Sequence, residues 1–102
     1  MAAVRYSRLA KSDLSGIGRY TLRTWGEAQT IQYLIALRAC CQTLSENREL
    51  GRQCDDVRPR LRRLECGSHV VFYRVRRDGI LISRILHQRM LPRRHRFEES
   101  DQ

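Results

Sequence analysis

Residues 70–90 constrain the fold more than any other part of the chain. Val70-Val71-Phe72-Tyr73-Arg74-Val75 is strongly β-forming, and Ile80 to Leu86 is a nearly all-apolar run of strand length. Between them, Asp78-Gly79 is among the best short signals for a hairpin turn. The second strand is apolar on both faces, which predicts a central place in a sheet. It continues through Arg84-Ile85-Leu86-His87-Gln88-Arg89-Met90, so a buried strand delivers cations to one sheet edge. Such an edge suits either an anion-binding device or part of a nuclease site.

The segments before this hairpin set the rest of the architecture. Val4-Arg5-Tyr6 alternates as a short strand, and Ser7 can cap a helix. Ala10, Leu14, Ile17 and Thr21 then recur at helical spacing, with Leu9 and Tyr20 beside them. Trp25-Gly26 ends that helix. A second helix is predicted from about Glu27 to Glu46, with Ile31, Leu34, Leu37, Cys41 and Leu44 as its apolar stripe. So short a turn implies an antiparallel helical hairpin. Residues 47–59 read as irregular, Leu61 to Leu64 as strand, and Gly67 as a break. Pro92 limits the C-terminal residues to a short helix or an irregular tail. Residues 98–102, with Glu98, Glu99 and Asp101, are expected to be an acidic, mobile end. The prediction is one α+β domain over residues 1–102, ordered β-α-α-β-β-β. The helical hairpin lies on a small twisted antiparallel sheet.

Charge points to the partner. Lys+Arg number 20 against 11 Asp+Glu, a net +9, and Lys11 is the only lysine. Guanidinium groups bind phosphate and carboxylate through two parallel hydrogen bonds, so an anionic partner is expected. Arg58, Arg60, Arg62 and Arg63 form one cluster, and Arg89, Arg93, Arg94 and Arg96 a second. The alternative is two solvated loops. No helix-turn-helix or zinc-finger pattern is present, and aromatics are too few for a base-stacking platform, so base-specific reading is not indicated. The N-terminus lacks a charged leader with an apolar run, and no segment is apolar enough to span a membrane; a cytoplasmic protein is expected. Cys40, Cys41, Cys54 and Cys66 include no Cys-x-x-Cys pair, so free thiols in the core are predicted and no metal.

Individual side chains carry competing readings. His69, His87 and His95 flank the hairpin and suit acid–base work near neutral pH, or merely open a strand and decorate a tail. Arg84 sits in an apolar strand, where a charge needs a partner. It can face an anionic ligand together with Arg74, or pair with Glu65 or Asp13. Tyr20, Trp25, Tyr33 and Tyr73 are either core or an aromatic surface for a partner.

The ordered motif set resembles the ParE branch of the RelE/ParE toxin superfamily, from type II toxin–antitoxin systems. The carrying pieces are Tyr6-Ser7 with Ala10 and Asp13-Leu14, Tyr20-Thr21 with Trp25-Gly26, and Tyr33-Leu34 with Leu37. Leu50-Gly51-Arg52, Val57-Arg58-Pro59, Leu61-Arg62-Arg63-Leu64 and Gly67-Ser68-His69 with Phe72-Tyr73-Arg74 come next along the chain. Ile82 and the run Arg84 to Met90 complete the set, which spans about residues 4–90.

The resemblance implies a β-α-α-β-β-β toxin, without catalysis or cofactor, that inhibits DNA gyrase and stabilises gyrase-cleaved DNA. It also implies neutralisation by a ParD-like antitoxin in a hetero-oligomer. Expected gyrase contacts are Arg84, His87, Arg89, Met90, Arg93, Arg94, His95, Arg96 and Phe97. Expected antitoxin contacts, on the face beside the helical hairpin, are Tyr20, Trp25, Arg58 and Arg62. The RelE branch instead cleaves messenger RNA on the ribosome with an Arg/Lys cluster and a Tyr near the C-terminal end. Residues 86–97 contain neither Tyr nor Lys, which favours the gyrase-directed reading.

Overall fold

The computed structural model describes residues 3–90 and 92–97. Its elements are β1 (Ala3–Tyr6), α1 (Arg8–Trp25), α2 (Glu27–Glu46), β2 (Arg52–Gln53), β3 (Arg62–Cys66), β4 (His69–Arg76) and β5 (Gly79–His87). A short 3-10 turn, Pro92–Arg94, comes last. Residues 98–102, expected to form a mobile acidic end, lie outside the described residues.

Local chemistry sets the helix ends. The Ser7 hydroxyl accepts the Ala10 N–H at 3.0 Å, satisfying a donor that α1 cannot. The same hydroxyl donates to the Ser83 carbonyl at 2.8 Å, so the cap also fastens α1 to β5. Gly26, at φ 89°, sits in backbone space that side chains resist, and it joins α1 to α2 without a spacer. The predicted core face of α1 is found, with Ala10, Ile17 and Thr21 buried. In α2, Leu37, Cys41 and Leu44 are buried as expected. Ile31 is instead 52% exposed, and Thr30 takes the inward place, its hydroxyl bonded to the Gly26 carbonyl.

The sheet order is β1-β5-β4-β3-β2. The predicted hairpin is β4–β5, with a bulge at Phe72/Tyr73, and β5 lies inside the sheet between β1 and β4. The sheet is mixed rather than wholly antiparallel, because β1 pairs parallel to β5. Gly79 permits this: a Cβ there would lie 1.9 Å from the Ala3 carbonyl oxygen. The two-residue β2 edge, unannounced by the sequence, pairs with β3.

The sheet has a core on each face. The helices cover Val71, Tyr73, Ile80, Ile82 and Ile85. A smaller cluster of Cys54, Val57, Leu61, Val70, Phe72 and Leu86 occupies a second core, with Phe97 packed against it. Each large apolar side chain so buried contributes about 1.5–3 kcal/mol. Tyr73 is fully buried, yet its hydroxyl is satisfied: it accepts the Gly51 N–H and donates to the Arg48 carbonyl.

The cysteines correct an expectation. Cys40 and Cys66 form a disulfide that ties α2 to β3, with Cα atoms 6.6 Å apart. That separation lies within bridging range. Cys41 and Cys54 are free and buried, as predicted for all four.

Candidate functional site

The cationic end of β5 is anchored before it is displayed. Arg84 and Asp13 are each about nine-tenths buried, with side-chain exposures of 12% and 13%. Arg84 Nε donates to Asp13 Oδ2 and Nη2 to Oδ1, both at 2.8 Å. Asp13 Oδ2 also accepts the Ile85 N–H at 2.9 Å. The remaining Arg84 nitrogen, Nη1, donates to the Arg96 carbonyl at 2.8 Å. Of the readings open to Arg84, the ion pair with Asp13 is the one formed. A charge in an apolar strand is tolerated when both partners and their hydrogen bonds are satisfied, as here.

The tail then folds back over the second core. Phe97 meets Phe72 edge-to-face at 5.4 Å, and the Arg58 guanidinium lies 5.2 Å from the Phe97 ring. Arg58 also donates to the His95 carbonyl at 3.3 Å. Arg93 pairs with Asp56 at 2.9 Å on the surface, and that hydrogen bond holds the Asp56 carboxyl below its usual range. The expected gyrase-contact set therefore divides. Arg84 and Phe97 are anchors. Arg89, Met90, Arg93, Arg94 and Arg96 are exposed, while His87 and His95 are half-buried.

Three rings meet beside this edge. The Tyr33 hydroxyl lies 2.6 Å from His69 Nδ1 and accepts the Ser68 N–H. His69 and His87 stack edge-on at 5.4 Å. Burial, and the neighbouring His87, push the His69 imidazole below its ordinary pKa. The Arg89 N–H donates to His87 Nδ1 at 3.2 Å. Among the described residues no group of three or more His, Cys, Asp and Glu is placed to hold a metal ion.

The residues expected at the antitoxin are not all brought together. Tyr20 and Trp25 are 59% and 62% exposed on the helical hairpin, so Trp25 is no core residue. Arg58 belongs to the tail cluster instead, and Arg62 donates to the Gly51 and Glu49 carbonyls of the α2–β2 loop. The hairpin has further exposed apolar side chains at Leu22, Ile31 and Ile35. Leu22 and Trp25 stand one turn apart, as do Ile31 and Ile35. For Ile31 and Ile35, a second stripe on α2 apart from Leu37–Cys41–Leu44 was the signal that could have found them.

Two helices on a five-stranded mixed sheet make up the fold, and a solved structure shares it. A solved chain of the chromosomal ParDE TA system from P. aeruginosa superimposes with a TM-score of 0.74, covering 85% of this chain and 96% of that one at 22% identity. The chain belongs to the ParE toxin family: the model for the ParE toxin of the type II toxin–antitoxin system, parDE, matches residues 4–92. It is 41% identical over 85 residues to Toxin ParE1 of Mycobacterium tuberculosis, spanning 82% of this chain and 87% of the relative. Toxin ParE1 of Caulobacter vibrioides is 39% identical over 97 residues, 93% of this chain and 98% of its own length. Toxin ParE of Escherichia coli is 35% identical over 91 residues, 88% of each chain. Among the described residues no helix is long and apolar enough to cross a membrane.

Proposed function

We propose that this toxin acts by binding rather than by catalysis: it engages DNA gyrase, stabilises gyrase-cleaved DNA and so blocks replication. The observation that carries this reading is the commitment of Arg84. A phosphoryl-transfer site needs cations aimed at the reacting phosphate. Arg84, the cation best placed for that role, has all its nitrogens engaged by Asp13 and the Arg96 carbonyl. What the edge presents instead is a mixed surface of Arg89, Met90, Arg93 and Arg94. That surface suits docking onto a large partner. A ParD-like antitoxin neutralises the toxin, and the exposed apolar flank of the helical hairpin around Trp25 is the surface that supports this part of the reading.

The ribosome-dependent nuclease reading has one feature in its favour, the Tyr33–His69–His87 cluster, which carries titratable groups beside the cationic edge. Inducing the chain alone in a bacterium, with pulse-labelling of DNA and protein synthesis, separates the two. Early loss of DNA synthesis is expected. Early loss of protein synthesis, with cut transcripts, would move the assignment to the nuclease.

A further inference from the structure

The Cys40–Cys66 bridge is not sealed inside the core. Both cysteines line an open cleft of about 240 Å³ together with Tyr33, Ala36, Leu37 and Gly67. Cys40 is half-buried and Cys66 buried, so the cysteine on α2 is the one an incoming reagent meets first.

The seam closed by this bridge continues to the basic edge. Cys66 ends β3, and Gly67 and Ser68 make the turn into β4. Tyr33, on the same helix as Cys40, lies against that turn. A Cβ on Gly67 would be 2.9 Å from its ring, and its hydroxyl accepts the Ser68 N–H at 3.0 Å. The Ser68 carbonyl accepts the Gln88 N–H, also at 3.0 Å. Arg89 and Met90 follow, their N–H groups bonded to His87 Nδ1 and the His87 carbonyl. His87 meets His69 edge-on, and His69 Nδ1 bonds the Tyr33 hydroxyl. The exposed start of the basic edge thus hangs on a turn that α2 holds at two points, Tyr33 and the bridge.

We propose that the Cys40–Cys66 bridge is a thiol-exchange site opened by a dithiol reductant, and that its redox state sets the order of Gln88, Arg89 and Met90. One thiolate of the dithiol attacks Cys40 Sγ from the cleft. The S–S bond breaks, Cys66 leaves as thiolate, and a mixed disulfide forms on Cys40. The second thiol of the reductant then attacks its partner sulfur and releases Cys40. The bridge has gained two electrons and two protons, and the dithiol has become a disulfide. Of the two attachments between α2 and the turn, Tyr33 alone then stays. Exposed segments with few anchors open locally more readily than the core.

The compartment gives the site its use, and here the inference rests on the proposed function. Gyrase and ribosome-bound messenger RNA, the two targets weighed above, lie where thiol pools are reducing. Bridges are rare there, and those that form are mostly transient, catalytic or redox-sensing. The oxidised toxin presents a fixed edge and the reduced toxin a loosened one.

Two measurements on the isolated toxin test this, so the target assignment can fail without affecting them. In the first, folded toxin is treated with dithiothreitol, alkylated with iodoacetamide and mapped by mass spectrometry. Cys40 and Cys66 should be labelled, while the buried Cys41 and Cys54 stay protected. A bridge that opens only in urea overturns the proposal. The second is amide hydrogen exchange by NMR, before and after reduction. The Gln88, Arg89 and Met90 amides should exchange about 10-fold faster or more once the bridge is open. The Leu50 and Val57 amides, bonded to the Asn47 and Cys54 carbonyls in other turns, should change by less than about 3-fold. Cys40→Ser with Cys66→Ser should show the reduced pattern without reductant and ignore dithiothreitol. Unchanged exchange at residues 88–90 overturns the proposal. So does equal acceleration at both groups of amides, or loss of the circular dichroism spectrum on reduction, either of which makes the bridge a staple for the whole fold.

Discussion

Asp13 on α1 holds Arg84 on β5 with both carboxylate oxygens and still accepts the Ile85 N–H. One side chain thus joins helix, central strand and, through Arg84 and the Arg96 carbonyl, the tail. Asp13→Ala should cost about 2–4 kcal/mol, because it strands a nearly buried guanidinium and a backbone donor. Asp13→Asn keeps an acceptor and should cost less. Urea denaturation of the three proteins measures the ranking, and equal stability of parent and Asp13→Ala would show that the clip does not hold the fold together.

The Cys40–Cys66 bridge closes a separation of 26 residues between α2 and β3. Chain-entropy arguments give a bridge of this span about 2–4 kcal/mol. Reduction, or the double change Cys40→Ser with Cys66→Ser, should lower Tm by on the order of 10 °C or more for a domain of this size. A Tm that does not respond to reductant would show that the surrounding packing already fixes α2 on β3.

Trp25 is exposed, so its removal should leave the fold intact. Trp25→Ala is expected to weaken antitoxin binding by about 2 kcal/mol or more, roughly 30-fold, with an unchanged circular dichroism spectrum. Ile35→Ala, on the neighbouring helix, should act in the same direction with a smaller effect. If calorimetry finds both variants binding like the parent, the antitoxin does not seat on the hairpin flank.

His69 gives stability a pH dependence of predictable sign. Its folded pKa lies below 6.5, because burial and His87 disfavour the charged ring. The unfolded chain therefore binds the proton more readily, and stability rises with pH across the window that ends near 6.5. Stability is fully present above that window and is lost as pH falls through it. Asp13 opposes the shift by favouring the charged ring. His69→Gln should flatten the profile there, as measured by urea midpoints from about pH 5 to 8. An unchanged profile would mean that other groups set it.

Arg89 and Arg93 lie on the exposed part of the basic edge. Reversing both to Glu should abolish growth arrest while leaving the thermal transition near that of the parent. The Arg93–Asp56 pair is solvated on both sides, so its loss is not expected to unfold the tail. Full toxicity of the double variant would remove this edge from target contact.

Most elements were legible because their determinants are local. Ser7, Gly26 and Asp78-Gly79 act within a turn of themselves, and the helix and strand limits track them closely. The parallel placement of β1 was not legible, since it depends on Gly79 admitting the Ala3 backbone from far away in sequence. The disulfide was hidden for the same reason: spacing says nothing of which face of α2 meets the end of β3. For Arg84 the sequence offered Asp13 only as one partner of several, and packing of α1 across β5 made the choice. The expected site split because type and position were readable but orientation was not. Arg58 and Arg62 look alike in sequence, yet one turns to Phe97 and the other to the Gly51 carbonyl.

The pairing of β1 with β5 also fixes when a growing chain can finish. Tyr6 finds its strand partner at Ile82, and the Ser7 hydroxyl its acceptor at Ser83. During synthesis the helical hairpin can form early from neighbouring residues, but the sheet stays open until β5 has left the ribosome. The two ends of the described chain thus come under one control. A nascent chain carries its helices first and its basic edge last, so the sheet that seats this edge closes only after β5 has been made.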